Sequence, residues 1–178
     1  MTATDPRRYP IGTFHRVTPP LDSGARAALI DQIAEAPAGL ARLVSGLSHA
    51  ELEKQYRPDG WTVRQVVHHV PDSHMNAYVR MKMAVTEEAP PIRLYREDRW
   101  ADLPDSTTGP VALSLDLLAA LHARWVTLLR ALPADAFSRV YVHPEMGNVP
   151  IDQGLAIYAW HGQHHIAHIE LALGTRTV

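Results

Sequence analysis

The chain has 178 residues, with 17 Lys and Arg against 19 Asp and Glu and a formal net charge of −2. A hydrophobic share of 46% with 20% charged residues excludes a disordered chain and fits one globular domain over 1–178. The near-neutral balance, pI about 6.6, excludes a surface built to grip the phosphate backbone, and with no cysteine there is no disulfide, thiolate metal site or cysteine nucleophile.

Residues 1–21 hold Pro6, Pro10, Pro19 and Pro20 and read as an extended arm. Arg7 and Arg8 are followed by no apolar stretch, so no signal peptide is expected. Nor does any apolar run reach the roughly 18 residues of a membrane span. A cytoplasmic location follows as an expectation.

A first helix is predicted from Ser23 to about Leu47, from Leu29, Ile33, Leu40, Leu43, Val44 and Leu47. Pro37 and Gly39 should kink or briefly break it. Ser48 and Glu51 match a capping box. The second helix opens on a better one, Thr62 with Gln65, where Trp61 can staple onto Val66. It should run to about Glu88, before Pro90 and Pro91. Residues 89–109 read as a long loop, of a kind often functional. Within it Arg93, Arg96 and Arg99 read as a solvated run. The third helix, Pro110 to about Leu132, has Leu113, Leu117, Leu121, Trp125 and Leu128 as its apolar face, with His122 a hydrogen-bonded core residue.

Residues 139–143 and 148–151 suggest a small hairpin around Pro144–Gly147, with Pro150 keeping the second strand at an edge. Asp152 is expected to cap the last helix, which should end near Leu173 with Gly174 at C′. The fold class is all-α: four long helices, a bundle, with the hairpin before the last helix.

Of 11 histidines, seven crowd two windows: His68, His69 and His74, then His161, His164, His165 and His168. On the last helix His164 and His168 form one i,i+4 pair, and His161 and His165 a second. The rest of that helix is apolar, and imidazoles on a buried helix are costly without partners. A divalent metal supplies one, since an i,i+4 pair can place two ring nitrogens on one ion. The third ligand should come from His68 or His69, only one of which can face the bundle axis. Three imidazoles leave an open position on Zn²⁺, the pattern of a catalytic site, although imidazole also suits Ni, Fe and Cu.

Four blocks carry a family resemblance: Tyr9-Pro-Ile-Gly12, Gly60-Trp-Thr-Val-Arg-Gln-Val-Val-His-His69, Asp72-Ser-His-Met-Asn76, and Tyr158-x-Trp-His-x-x-His-His-Ile-Ala-His168. Together they resemble the YfiT branch of the DinB-like proteins, described as metal-dependent hydrolases and associated with bacillithiol S-transferase activity. The resemblance implies a DinB-like four-helix bundle, a cytoplasmic homodimer, and one divalent ion per chain, Zn²⁺ first and Ni²⁺ second. It implies His69, His164 and His168 as the ligands. His68, His161 and His165 then become pocket residues or supports. The chain departs from the family at Pro71, which follows His69 by two residues inside the expected helix.

The leading functional expectation is a transferase joining a low-molecular-weight thiol, made thiolate by the metal, to an electrophile. Ser73 and Asn76 share the helix face of His69, and Asp72 is spaced to orient an imidazole. A hydrolase with hydroxide on the metal is the alternative. It ranks second because neither histidine block contains a Glu, although Glu145 or His143 could reach in from the hairpin. A non-catalytic metal-binding stress module is the third reading. No nucleic-acid or membrane partner is expected.

Overall fold

The computed structural model describes residues 5–177. Four long helices dominate: α1 (Ser23–Val44), α3 (Val63–Thr86), α6 (Val111–Ala131) and α7 (Ile151–Leu173). One-turn helices α2 (His49–Leu52), α4 (Glu97–Trp100) and α5 (Pro104–Thr107) lie between them, and β1 (Val140–His143) pairs antiparallel with β2 (Gly147–Pro150). Each of α1 and α3 packs against both α6 and α7, so the order around the bundle is α1–α6–α3–α7.

The helix starts follow local chemistry. Thr62 and Gln65 form the reciprocal capping box at α3, and Ser48 and Glu51 form the other at α2. Asp22 caps α1 by accepting the Ala25 N–H at 2.8 Å. Gly174 ends α7 with φ +75°, the left-handed conformation that glycine adopts at no steric cost.

Four expectations need correction. Pro37 does not break α1, which runs unbroken to Val44, three residues short of Leu47. The segment 89–109 is no plain loop. It contains α4 and α5 and is tied to α3, where the Gln65 amide donates to the Ala101 carbonyl at 2.9 Å and Arg64 to that of Gly109 at 3.0 Å. Asp152 caps nothing. It is wholly buried in the first turn of α7, where Arg26 and the Leu21 N–H hold its carboxylate.

On α6 the buried face is Leu118, His122, Trp125, Val126 and Leu129, while Leu113 and Leu117 are 67% and 44% exposed. Both stripes have helical spacing, and α6 is apolar enough for either to serve. Consistent with this, α6 alone among the described helices is long and apolar enough by composition to cross a membrane. Here it packs on α1 and α3.

Candidate metal centre

α3 and α7 are packed neighbours in the bundle, and their contact brings three imidazoles together. His69 from α3 meets His161 and His165, one turn apart on α7, with one ring nitrogen of each within 4.8 Å of the others. His69 Nε2 and His161 Nε2 are 3.4 Å apart. Two nitrogens about 2.0–2.1 Å from a tetrahedral ion lie roughly 3.3 Å apart. The separation therefore matches one edge of a coordination tetrahedron, and the donor set fits Zn²⁺ or another imidazole-binding divalent ion.

Burial keeps these rings uncharged. It lowers the His69 pKa to about 4, with the nearby His164 adding to the effect. Burial first, then neighbouring imidazoles, pushes His161 and His165 well below the usual histidine range. A neutral imidazole is the form that binds metal. Among the described residues, none of the three rings has a carboxylate hydrogen-bond partner. The close polar neighbours of His161 are Ser73 Oγ, 3.4 Å from its Nε2, and His74 Nε2, 3.0 Å from its Nδ1.

His164 and His168 do not join His69 in this cluster. His164 stacks on Trp160 at 4.3 Å between centroids, and His168 on Tyr56 at 4.0 Å. Two of their ring nitrogens, His164 Nδ1 and His168 Nε2, are buried with no hydrogen-bond partner. The two pairs on α7 differ by about 60° of helix rotation, which spacing alone cannot assign. Packing decides it: Leu155, Ala159 and Ile169 are buried on the core side. Gly162, whose missing Cβ would sit 3.3 Å from that of Ala36, seats α7 against α1.

Other candidates also moved. His68 turns towards α6, with Nδ1 2.7 Å from Ser114 Oγ and Nε2 3.2 Å from the Gly109 carbonyl. Asp72 orients no imidazole. Its carbonyl accepts the Asn76 amide, and burial followed by the nearby Asp105 raises its carboxyl pKa to about 6. Neither Asp72 nor Asn76 lines the cleft. Trp61, read as a staple, packs on the apolar cluster around Val66 and also covers His69 at 4.7 Å. His122 is the expected buried, hydrogen-bonded residue.

The three histidines open into a cleft of about 850 Å³. Arg8 and Arg57 stand in its wall beside Tyr9 and Tyr56, while His143 and Glu145 from the hairpin reach the other side. Arg80 also lines it. Its guanidinium is buried, donates to Tyr158 Oη at 3.3 Å and the Arg93 carbonyl at 3.1 Å, and has no carboxylate partner among the described residues.

A helical bundle with a histidine cluster between facing helices defines a class of metal-binding four-helix proteins, and the chain belongs to the DinB superfamily, whose family model matches residues 32–169. Two relatives, each named "Putative metal-dependent hydrolase", come from Bacillus cereus and Bacillus mycoides and are 46% and 47% identical over 162 residues. In both cases that is 91% of this chain and 92% of the relative. The solved structure of YfiT from Bacillus subtilis, described as a probable metal-dependent hydrolase with an unusual four-helix bundle topology, superposes with a TM-score of 0.91. It is 42% identical, covering 96% of this chain and 98% of that one.

Proposed function

We propose that the protein is a divalent-metal-dependent enzyme that binds its ion through His69, His161 and His165 and transfers a low-molecular-weight thiol, of the bacillithiol type, to an electrophile. The observation that carries the reading is the neutral three-imidazole cluster at the floor of a wide cleft, with nitrogens spaced for a tetrahedral ion. This ligand set replaces His164 and His168, which serve as cleft wall. Zn²⁺ is the first choice of metal and Ni²⁺ the second.

When bound, the ion makes a thiol or water nucleophilic at neutral pH by lowering its pKa. The remaining work falls to the chain. Trp61 and the core behind α7 exclude water from one side of the rings. Ser73 Oγ stands beside His161 as a hydroxyl that can hold a proton near the reacting atom. Arg80 is a buried cation without a counter-ion, which is costly unless an anion completes it. The reading therefore includes a carboxylate or other anionic group on the thiol or its acceptor.

Hydrolysis is the second reading. The names of the Bacillus relatives favour it, and so does Glu145 in the cleft wall, the kind of group that could take a proton from water. We further propose a cytoplasmic homodimer without nucleic-acid or membrane partners, with exposed Leu113 and Leu117 on α6 offering an apolar face to a second copy. Metal analysis of the purified protein, followed by turnover with several thiols and an electrophilic acceptor, tests the assignment. Thiol-dependent product formation supports transfer. Cleavage of an ester or amide without added thiol supports hydrolysis, and metal binding with neither product leaves a binding module.

A further inference from the structure

We propose that a chain of hydrogen bonds running from the Ile33 carbonyl through His122 and His74 fixes the tautomer of His161, so that its Nε2 carries a lone pair aimed into the metal cluster. The inference rests on the ligand set proposed above and names two positioning residues beyond it, His74 and His122.

The chain begins at a proline. In α1 the helical donor to the Ile33 carbonyl would be the N–H of residue 37, and Pro37 has none. That buried carbonyl is instead met by His122 Nδ1 of α6 at 2.6 Å. A carbonyl only accepts, so His122 Nδ1 must carry the hydrogen. In a neutral ring His122 Nε2 is then an acceptor. It lies 2.8 Å from His74 Nδ1, which must donate, and the two rings are nearly coplanar at 11°. His74 Nε2 is thereby left as an acceptor, 3.0 Å from His161 Nδ1, which donates in turn. The remaining nitrogen of His161, Nε2, has no hydrogen and points at His69 Nε2.

The direction has no consistent reversal while the rings are neutral. Turning any link round would set two donors or two acceptors against each other in a site from which His74 and His122 cannot reach water, being 0% and 1% exposed. A charge on His74 or His122 would be buried with only imidazole and carbonyl partners and, among the described residues, no carboxylate against it, which favours the neutral rings. A metal-ligating histidine ordinarily gives its second N–H to a carbonyl or carboxylate. Here the direct acceptor is His74 Nε2 and the carbonyl stands two imidazoles away, available because a proline stands mid-helix.

The test is the tautomeric state of His161 in the metal-free protein, read by long-range ¹H–¹⁵N imidazole spectra at neutral pH, together with Zn²⁺ affinity. The wild-type spectrum should show His161 protonated at Nδ1. In His74→Leu, which removes the acceptor, that preference should vanish and Zn²⁺ affinity fall by about tenfold or more. His74→Gln can present an amide oxygen where Nε2 was and should stay within about threefold of wild type. His122→Leu touches no ligand, yet should also weaken Zn²⁺ binding by freeing His74 to reverse. An Nε2-protonated His161 in the wild-type apoprotein overturns the proposal even if no variant folds. Wild-type affinity in folded His74→Leu and His122→Leu overturns it as well. If the wild type binds no Zn²⁺ at all, the metal-site reading fails instead, and the spectrum still decides the tautomer.

Discussion

Arg26 on α1 grips Asp152 on α7 through two hydrogen bonds of 2.7 and 2.9 Å, and the same carboxylate accepts the Leu21 N–H at 2.8 Å. One wholly buried acid thus joins the arm, the first helix and the start of the helix that bears His161 and His165. Arg26→Met leaves that carboxylate with only the Leu21 donor, whereas Asp152→Asn leaves an arginine that retains some solvent contact, 11% of its side chain. Breaking a buried pair costs about 3–5 kcal/mol. Arg26→Met should therefore reach that range and exceed Asp152→Asn in urea unfolding. Equal, sub-kilocalorie effects would show that the bridge contributes little.

Acid should destabilise the metal-free protein over a defined window. The folded pKa values of His69, His122 and His164 are lowered to about 4 and that of His168 to about 3, burial being the largest cause in each. Unfolded histidine titrates near 6.5. Between about 6.5 and 4 the unfolded chain binds protons that the folded chain refuses, so stability is complete above 6.5 and falls as pH drops. A single independent ring contributes up to about 1.4 kcal/mol per pH unit, and all four act in the same direction. Urea midpoints at pH 7, 6 and 5 should fall progressively more steeply. A midpoint unchanged from pH 7 to 5 would contradict the uncharged cluster.

Much of this architecture is legible in the sequence because its signals are local. The Thr62–Gln65 and Ser48–Glu51 boxes, the Gly174 stop and the hairpin around Pro144–Gly147 each involve residues a few positions apart, and each appears as read. What depends on rotation of one helix against another is not local. Leu117 and Leu118 are equally apolar neighbours, and tertiary packing alone makes one exposed and the other buried. The same ambiguity governs the centre itself. The clustering of histidines can be read from the sequence, but helical spacing leaves His68 and His69 equivalent, the family resemblance alone points to His69, and choosing between the two i,i+4 pairs requires the orientation of α7. Pro37 and His122 each have a visible anomaly, a mid-helix proline and a polar residue on an apolar helix. Only the fold shows that they answer one another.

Pro71 lies buried inside α3, which continues unbroken past it, as α1 does past Pro37. Pro71→Ala should restore the helical N–H to the Val67 carbonyl and stabilise the fold. Zn²⁺ affinity at neutral pH should stay within a few-fold of the parent, because the His69 ring packs against Trp61 and His165, 4.7 and 4.8 Å away between centroids. A tenfold or greater loss would make the proline part of the site.

Arg80 gives the substrate reading its own check. For a folded Arg80→Gln, the preference for carboxylate-bearing over neutral thiols should collapse by about tenfold in kcat/KM, with neutral thiols little affected. An equal loss with both kinds of thiol would assign Arg80 to holding Tyr158 and the Arg93 carbonyl, and not to substrate.

The most direct measurement is the metal content of four single variants after Zn²⁺ loading and desalting. His161→Ala and His165→Ala should lose stoichiometric metal, because each removes one of three nitrogens gathered within 4.8 Å. His164→Ala and His168→Ala should retain it, since their rings stack on Trp160 and Tyr56 in the cleft wall. The opposite pattern, with metal lost from His164→Ala and His168→Ala and kept by the other two, would contradict the centre described here.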